Sequence, residues 1–250
     1  MIEVGQDWEW SLEGESTRPL LLKWIQPGSF LMGSPATEVG RNPDERQFRS
    51  TFAHGFWIGA YFITQGQYAA LMGMNPSRFC SDANRPVECV SWDDALACCE
   101  RLNASLRSEL PAGCLFALPS ESQWEYCCRA GTTTPYFCGE SAECLNEYAW
   151  HGGNCNGETH PVGLKLPNAW GLFDFQGNVM EWCLDGYTPY PSEDAIDWVG
   201  THDKIGVTFR SGSWGTTDFR VFRSAHRGYT GRSARRAWFG FRVALTLRRS

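Results

Sequence analysis

Apolar and polar positions along this chain alternate in short runs of two kinds. Residues 20–34, LLLKWIQPGSFLMGS, read as a strand, a Pro-Gly turn and a second strand, and residues 52–64, FAHGFWIGAYFIT, form another strand-like stretch. Thr64 then opens a helical segment, with Gln67 at capping-box spacing and Tyr68 and Leu71 on one face. The clearest helix is 91–106. Ser91 is placed to cap it, Asp93 and Asp94 suit its first turn, and Ala95, Leu96, Cys99 and Leu102 form an apolar stripe. Residues 118–131 repeat that outline, with Ser120 as cap, Trp124 inside and Gly131 as stop. From 131 to about 190 no periodic segment occurs; so long an irregular stretch needs ions or dense aromatic packing to hold it. Strands return at 207–214 and at 239–247, where Phe241, Val243, Leu245 and Leu247 share a face. The pattern predicts one α+β domain with short strands, two or three helices and much loop.

Composition narrows this picture. A chain of 250 residues can bury a core without staples, and no apolar run reaches the ~18 residues of a membrane span. The opening MIEVGQDWEW resembles no secretory signal, so the protein is expected in the cytoplasm, the alternative being a leader that was removed. The 11 cysteines cannot all pair with one another and are expected as free thiols packed like small apolar residues. The doublets Cys98-Cys99 and Cys127-Cys128 lack the usual spacing of zinc ligands. Charge is uneven: residues 201–250 hold eleven Lys/Arg against two Asp/Glu, in a chain of net charge -6. A basic tail can address nucleic acid. Here glycines and aromatics interrupt the arginines and no lysine run occurs, which favours a tail folded back onto the acidic body.

Two stretches carry candidate chemistry. In NAWGLFDFQGNVMEWCLDGY (168–187), Asp174 and Glu181 flank a glycine-containing turn, and carboxylates with main-chain carbonyls between them are the hard oxygen ligands of calcium. The plainer alternative is that both carboxylates cap turns. In RSGSWGTTDFRVFRSAHRGYTGRSARRAWFGFRVAL (210–245), Phe219, Phe222, Tyr229, Trp238 and Phe239 sit among arginines, the residue types of binding hot spots, although some could be core. A Cys155–His160 dyad is conceivable, but sequence separation alone does not establish one. No phosphate-binding glycine loop, dinucleotide fingerprint, HExxH or GxSxG occurs.

Taken in order, PGSFLMGS, FWIGAYFITQGQYAALMGMNPSRF, RPVECVSWDDALACCERLN, LPSESQWEYCCRAG, THPVGLKLPNAWGLFDFQGNVMEWCLDGY, FRSGSW and GFRVAL resemble the formylglycine-generating-enzyme (sulfatase-modifying factor) family over residues 20–247. The resemblance implies a C-type lectin-like fold, with residues 1–19 as an extension and 20–250 as one domain. It also implies a calcium ion held by Asp174, the Gly177 and Val179 carbonyls, and Glu181. The family's enzymes oxidise a substrate cysteine with copper held by two cysteines. Here the first of those positions is Thr216 and the second falls at Phe219 or Val221, none of which can ligate Cu(I); no copper and no formylglycine synthesis are expected. The sulfoxide synthases of the family carry an iron-binding His motif in an added N-terminal domain, and the residues before 20 contain no His.

A third branch, the variable proteins of diversity-generating retroelements, uses the same scaffold to bind a protein or other macromolecule through its terminal segment. That likeness makes Trp214, Gly215, Thr216, Thr217, Asp218, Phe219, Val221, Phe222, Gly228, Tyr229, Thr230, Arg235, Trp238 and Phe239 the candidate ligand-binding residues. Trp238 fits this branch least, because adenine-directed change of an AAC codon cannot produce Trp. The alternatives are an enzyme of altered chemistry, in which His226, Asp218 and Arg220 would be tested first, and a scaffold subunit of a larger assembly.

Overall fold

Three capped helices anchor the first half of the chain. Thr64, Ser91 and Ser120 each accept from the backbone N–H three residues on, and Gln67, Asp94 and Gln123 return the bond to the cap's own N–H. These boxes start α1 (Gln65–Met72), α2 (Trp92–Ser105) and α3 (Glu121–Arg129), as the sequence predicts. A fourth, short helix α4 (Leu145–Tyr148) lies in the irregular middle. The computed structural model describes residues 2–11, 18–201 and 205–248.

Among the described residues, three sheets organise the rest. The first runs β1 (Trp8–Trp10), β2 (Leu20–Ile25), β5 (Phe56–Gly59), β12 (Ala244–Leu247), β6 (Cys114–Ala117), all antiparallel. The second has the order β10 (Arg227–Thr230), β9 (Val207–Arg210), β7 (Met180–Gly186), β11 (Phe239–Gly240), and β11 joins it in parallel. The third holds β3 (Gly28–Met32), β4 (Phe48–Phe52) and β8 (Ala195–Ile196). The stretch read as an extension contributes to the domain: β1 pairs with β2, and Ile2 is buried in the core. Residues 12–17 of that stretch lie outside the described residues.

Leu22, Trp57, Leu102, Phe116, Trp182, Phe241, Val243 and Leu245 meet in the main core. A second cluster packs Trp124, Cys127, Cys128, Phe175 and Cys183 behind α3. The predicted strand 239–247 is two strands in different sheets. Between them Phe241 and Val243 stay fully buried, whereas Leu247 is 40% exposed. The break lets Arg242 turn inward from between two core residues.

The cysteines divide. Cys98, Cys99, Cys127, Cys128, Cys155 and Cys183 are buried thiols, as expected, and burial pushes Cys98 and Cys128 up to about 12. Cys138 and Cys144 instead form a disulfide, correcting the expectation of free thiols at those positions. A tight turn at 136–139 and a 3-10 turn at Ala142–Cys144 bring their Cα atoms to 5.9 Å.

Candidate ligand-binding site

The basic segment does fold back on the acidic body, and it does so through buried pairs. Arg210, at the end of β9, donates to Glu121 (2.9 Å) and Glu125 (2.8 Å) of α3. Arg227, starting β10, donates to both Glu121 oxygens, at 2.8 Å to the Oε1 it shares with Arg210 and at 2.5 Å to Oε2. Arg223 grips Glu45 at 2.8 and 2.7 Å and Glu38 at 2.5 Å. Arg242 grips Glu181 at 2.6 and 3.1 Å and donates to the Gly59 and Phe173 carbonyls. All four arginines are buried. Burial alone would raise the Glu125 carboxyl, but Arg129 and Arg210 outweigh it and hold it below the ordinary carboxylate range.

Between these fixed points the chain reaches the surface. The loop 211–218 is pinned by main-chain bonds: Trp214 N–H to the Asn178 carbonyl and Gly152 N–H to the Thr216 carbonyl, both 2.8 Å. Trp214 is half-buried, its indole N–H donating to the Ala237 carbonyl and its ring set edge-on against Phe79. Gly215, Thr217, Asp218 and Phe219 are exposed, Thr216 and Val221 half-buried. Phe219 rests edge-on against His151, and Tyr136 donates its hydroxyl to the Phe219 carbonyl. In β10, Gly228 and Thr230 are half-buried and Tyr229 is 50% exposed. Beyond it Arg235 is exposed and pairs with Asp94 in the first turn of α2, and Trp238 is 40% exposed.

Two of the candidates are not surface residues. Phe222 is fully buried with Tyr136, Leu145 and Ala149, and Phe239 is buried with its ring stacked on Trp182 at 4.3 Å. Their predicted role in ligand contact is corrected: these rings hold the segment down. Position in an aromatic-and-arginine run could not separate core rings from surface ones. Sequence reasoning also missed Asp44 and Tyr187, which border Tyr229. They come from distant loops, and only the fold joins them.

Thr216 Oγ1 bonds to Ser213, the Phe219 ring lies on His151, and Val221 is half-buried, so the positions of the copper cysteines serve the loop itself. His160 Nε2 contacts the Cys155 carbonyl (2.8 Å), while the Cys155 thiol donates to the Trp214 carbonyl; no thiol–imidazole dyad forms. Asp218 and Arg220 pair with each other at the surface. Among the described residues no group of three His, Cys, Asp or Glu is placed to hold a metal.

The calcium set implied by resemblance needs only two carboxylates, and they are unequal. Asp174 is buried. Its Oδ2 accepts from Gly163 N–H (2.8 Å), its Oδ1 has no partner, and burial raises its pKa to about 6. An orphaned buried carboxylate oxygen is where a cation fits. Both Glu181 oxygens accept from Arg242, and the Trp124 indole bears on the same carboxylate. Asp174 thus keeps an open acceptor that a cation could take, while Glu181 is held by Arg242.

A family model described as the sulfatase-modifying factor enzyme 1-like domain matches residues 21–247. Among curated proteins, the chaperone protein LppX of Paenibacillus barcinonensis is 27% identical over 187 residues, 57% of this chain and 66% of that one. The formylglycine-generating enzyme of Mus musculus is 33% identical over 122 residues, 44% of this chain and 30% of that one. The chain thus spans under two thirds of the length of these relatives. Among solved structures, Treponema denticola variable protein 1 superposes with a TM-score of 0.84 at 25% identity, covering 95% of this chain and 98% of that one. PvdO from Pseudomonas aeruginosa superposes with a TM-score of 0.77 at 29% identity, covering 92% and 95%. Matched by its family model over nearly its whole length, the chain belongs to the sulfatase-modifying factor enzyme 1-like domain family.

Proposed function

We propose that this chain is a non-catalytic recognition protein that binds a protein ligand through the exposed side chains of residues 214–238, in the manner of a retroelement variable protein. The observation that carries this reading is the alternation within one segment of arginines fixed by buried carboxylates and solvent-facing tips. Irregular loops on such anchors can change side chains without unfolding the core. The likeness to a variable protein over almost the whole chain supports it. So does the chemistry at 216, 219 and 221, where no thiol is available for Cu(I). In the same reading a calcium ion at Asp174, with the Gly177 and Val179 carbonyls and Glu181, steadies the turn beneath the face.

Three tests address the proposal. A photo-crosslinker at Thr217 should capture a partner whose binding is lost in Phe219→Ala and Trp238→Ala proteins of unchanged melting temperature. A partner indifferent to both substitutions would move the binding face elsewhere. A reverse transcriptase gene beside this one, with a near-copy of the 3′ coding segment, is expected for the retroelement subtype. Oxygen consumption with copper and a cysteine peptide should be absent; turnover would replace this reading with an enzymatic one.

A further inference from the structure

We propose that the ligand face includes a groove beside β10 that reads an arginine side chain of the protein partner. This rests on the recognition reading above and names the chemistry of one part of its surface. The groove is open, has a volume of about 540 Å³, and is bordered by Asp44, Tyr187, Phe209, His226, Gly228 and Tyr229. Gly228 shapes its floor: a Cβ there would fall 2.4 Å from the Phe209 ring, so only glycine lets that ring lie flat under the strand.

The charges in the groove select a cation. Arg227 lines it too, but Glu121 holds that guanidinium through two bonds. His226 is neutral, since burial lowers its pKa to about 4. Asp44 therefore carries the uncompensated charge among the described lining residues. Its Oδ2 accepts the Tyr187 hydroxyl, and among the described residues no donor reaches its Oδ1. The aromatic part selects the kind of cation. The Tyr187 ring already carries one guanidinium, that of Arg227 at 4.5 Å from its centroid, and lies against Tyr229 with ring centroids 4.3 Å apart and planes tilted by 33°. Half of Tyr229 remains exposed. A second planar cation can lie on that ring while donating to the Asp44 carboxylate. Arginine satisfies both contacts, whereas the compact ammonium of lysine loses the stacking.

The test uses the whole chain and three peptides, Ac-Gly-Arg-Gly-NH2 and its lysine and citrulline counterparts, titrated while the Gly228 amide is followed by NMR. The arginine peptide should shift this amide, and the lysine and citrulline peptides should bind at least about fivefold more weakly. Asp44→Asn and Tyr229→Ala should each weaken arginine binding by a similar factor, and Glu100→Ala, on the exposed side of α2, should leave it unchanged. Equal binding of arginine and citrulline, insensitivity to Asp44→Asn, or no shift at all would each overturn the groove. If free argininamide bound as tightly as the peptide, the protein source would be overturned. None of these failures touches the crosslinked partner's dependence on Phe219 and Trp238, so the two proposals can fail separately.

Discussion

Residues 207–243 hold two regions of opposite character, interleaved along the chain. Arg210, Arg223, Arg227 and Arg242 are buried and bonded to Glu121, Glu125, Glu38, Glu45 and Glu181. Thr217, Asp218, Phe219, Tyr229 and Trp238 are exposed a few residues away. The contrast shows that the segment's fold is fixed at buried positions. A buried ion pair is not inherently more stabilising than a well-packed apolar pair. Its use here is geometric: a guanidinium with several fixed partners admits one backbone placement.

Loss of one anchor should cost most. Arg210→Ala leaves Glu121 and Glu125 buried with a partner lost and should cost about 3–5 kcal/mol in urea unfolding. Thr217→Ala should stay within about 0.5 kcal/mol. If the two cost the same, the division into frame and tip is wrong. The aromatic rings extend the test. Phe222→Ala and Phe239→Ala should each cost about 3–5 kcal/mol by opening a cavity. Phe219→Ala and Trp238→Ala, at exposed positions, should stay under about 1 kcal/mol while abolishing partner capture.

A smaller effect is expected from His226, which lies between frame and groove and faces Asp44, Glu45, Arg210 and Arg223. Its folded pKa of about 4 lies below the ordinary 6.5 because burial disfavours the charged ring. The unfolded chain therefore binds the extra proton first. The stability from the neutral imidazole is complete above pH 6.5 and is lost as pH falls through 4. That loss amounts to about 3 kcal/mol. Other carboxylates also titrate in this range, so the measurement is the difference between wild type and His226→Asn in urea unfolding at pH 7 and pH 4. Parallel pH profiles would show that His226 is not held neutral by the frame.

Much of the frame was legible and little of the face. The capping boxes at Thr64, Ser91 and Ser120 are local signals, readable three residues at a time. The charge imbalance announced internal pairing, but not which carboxylates would meet Arg210 or Arg223, because those partners lie 85 to 185 residues away. Residues 239–247 read as one continuous strand because alternation persists through Arg242; only a buried partner, Glu181, makes an inward arginine acceptable there. Phe219 and Phe222 look alike in sequence, and a 3-10 turn sends one to solvent and one to the core. The groove is least legible of all, since Asp44 and Tyr187 stand 143 residues apart.

Asp174 lies in the turn before β7, and Arg242, a frame arginine, holds Glu181 at the other end of the same set. An ion there belongs to the frame, so its effect should be blind to the tips. A ligand that binds only the native state adds stability as the logarithm of its concentration, about 2.7 kcal/mol at a hundredfold excess over Kd. Calcium should therefore raise the melting temperature of the wild type and of Phe219→Ala by the same amount, and chelation should reverse both shifts. Asp174→Asn should abolish the shift while remaining folded, because the amide keeps an acceptor for Gly163 N–H. A calcium shift that survived Asp174→Asn would place the ion elsewhere. A shift that changed with Phe219 would tie the ion to the ligand face instead of the frame.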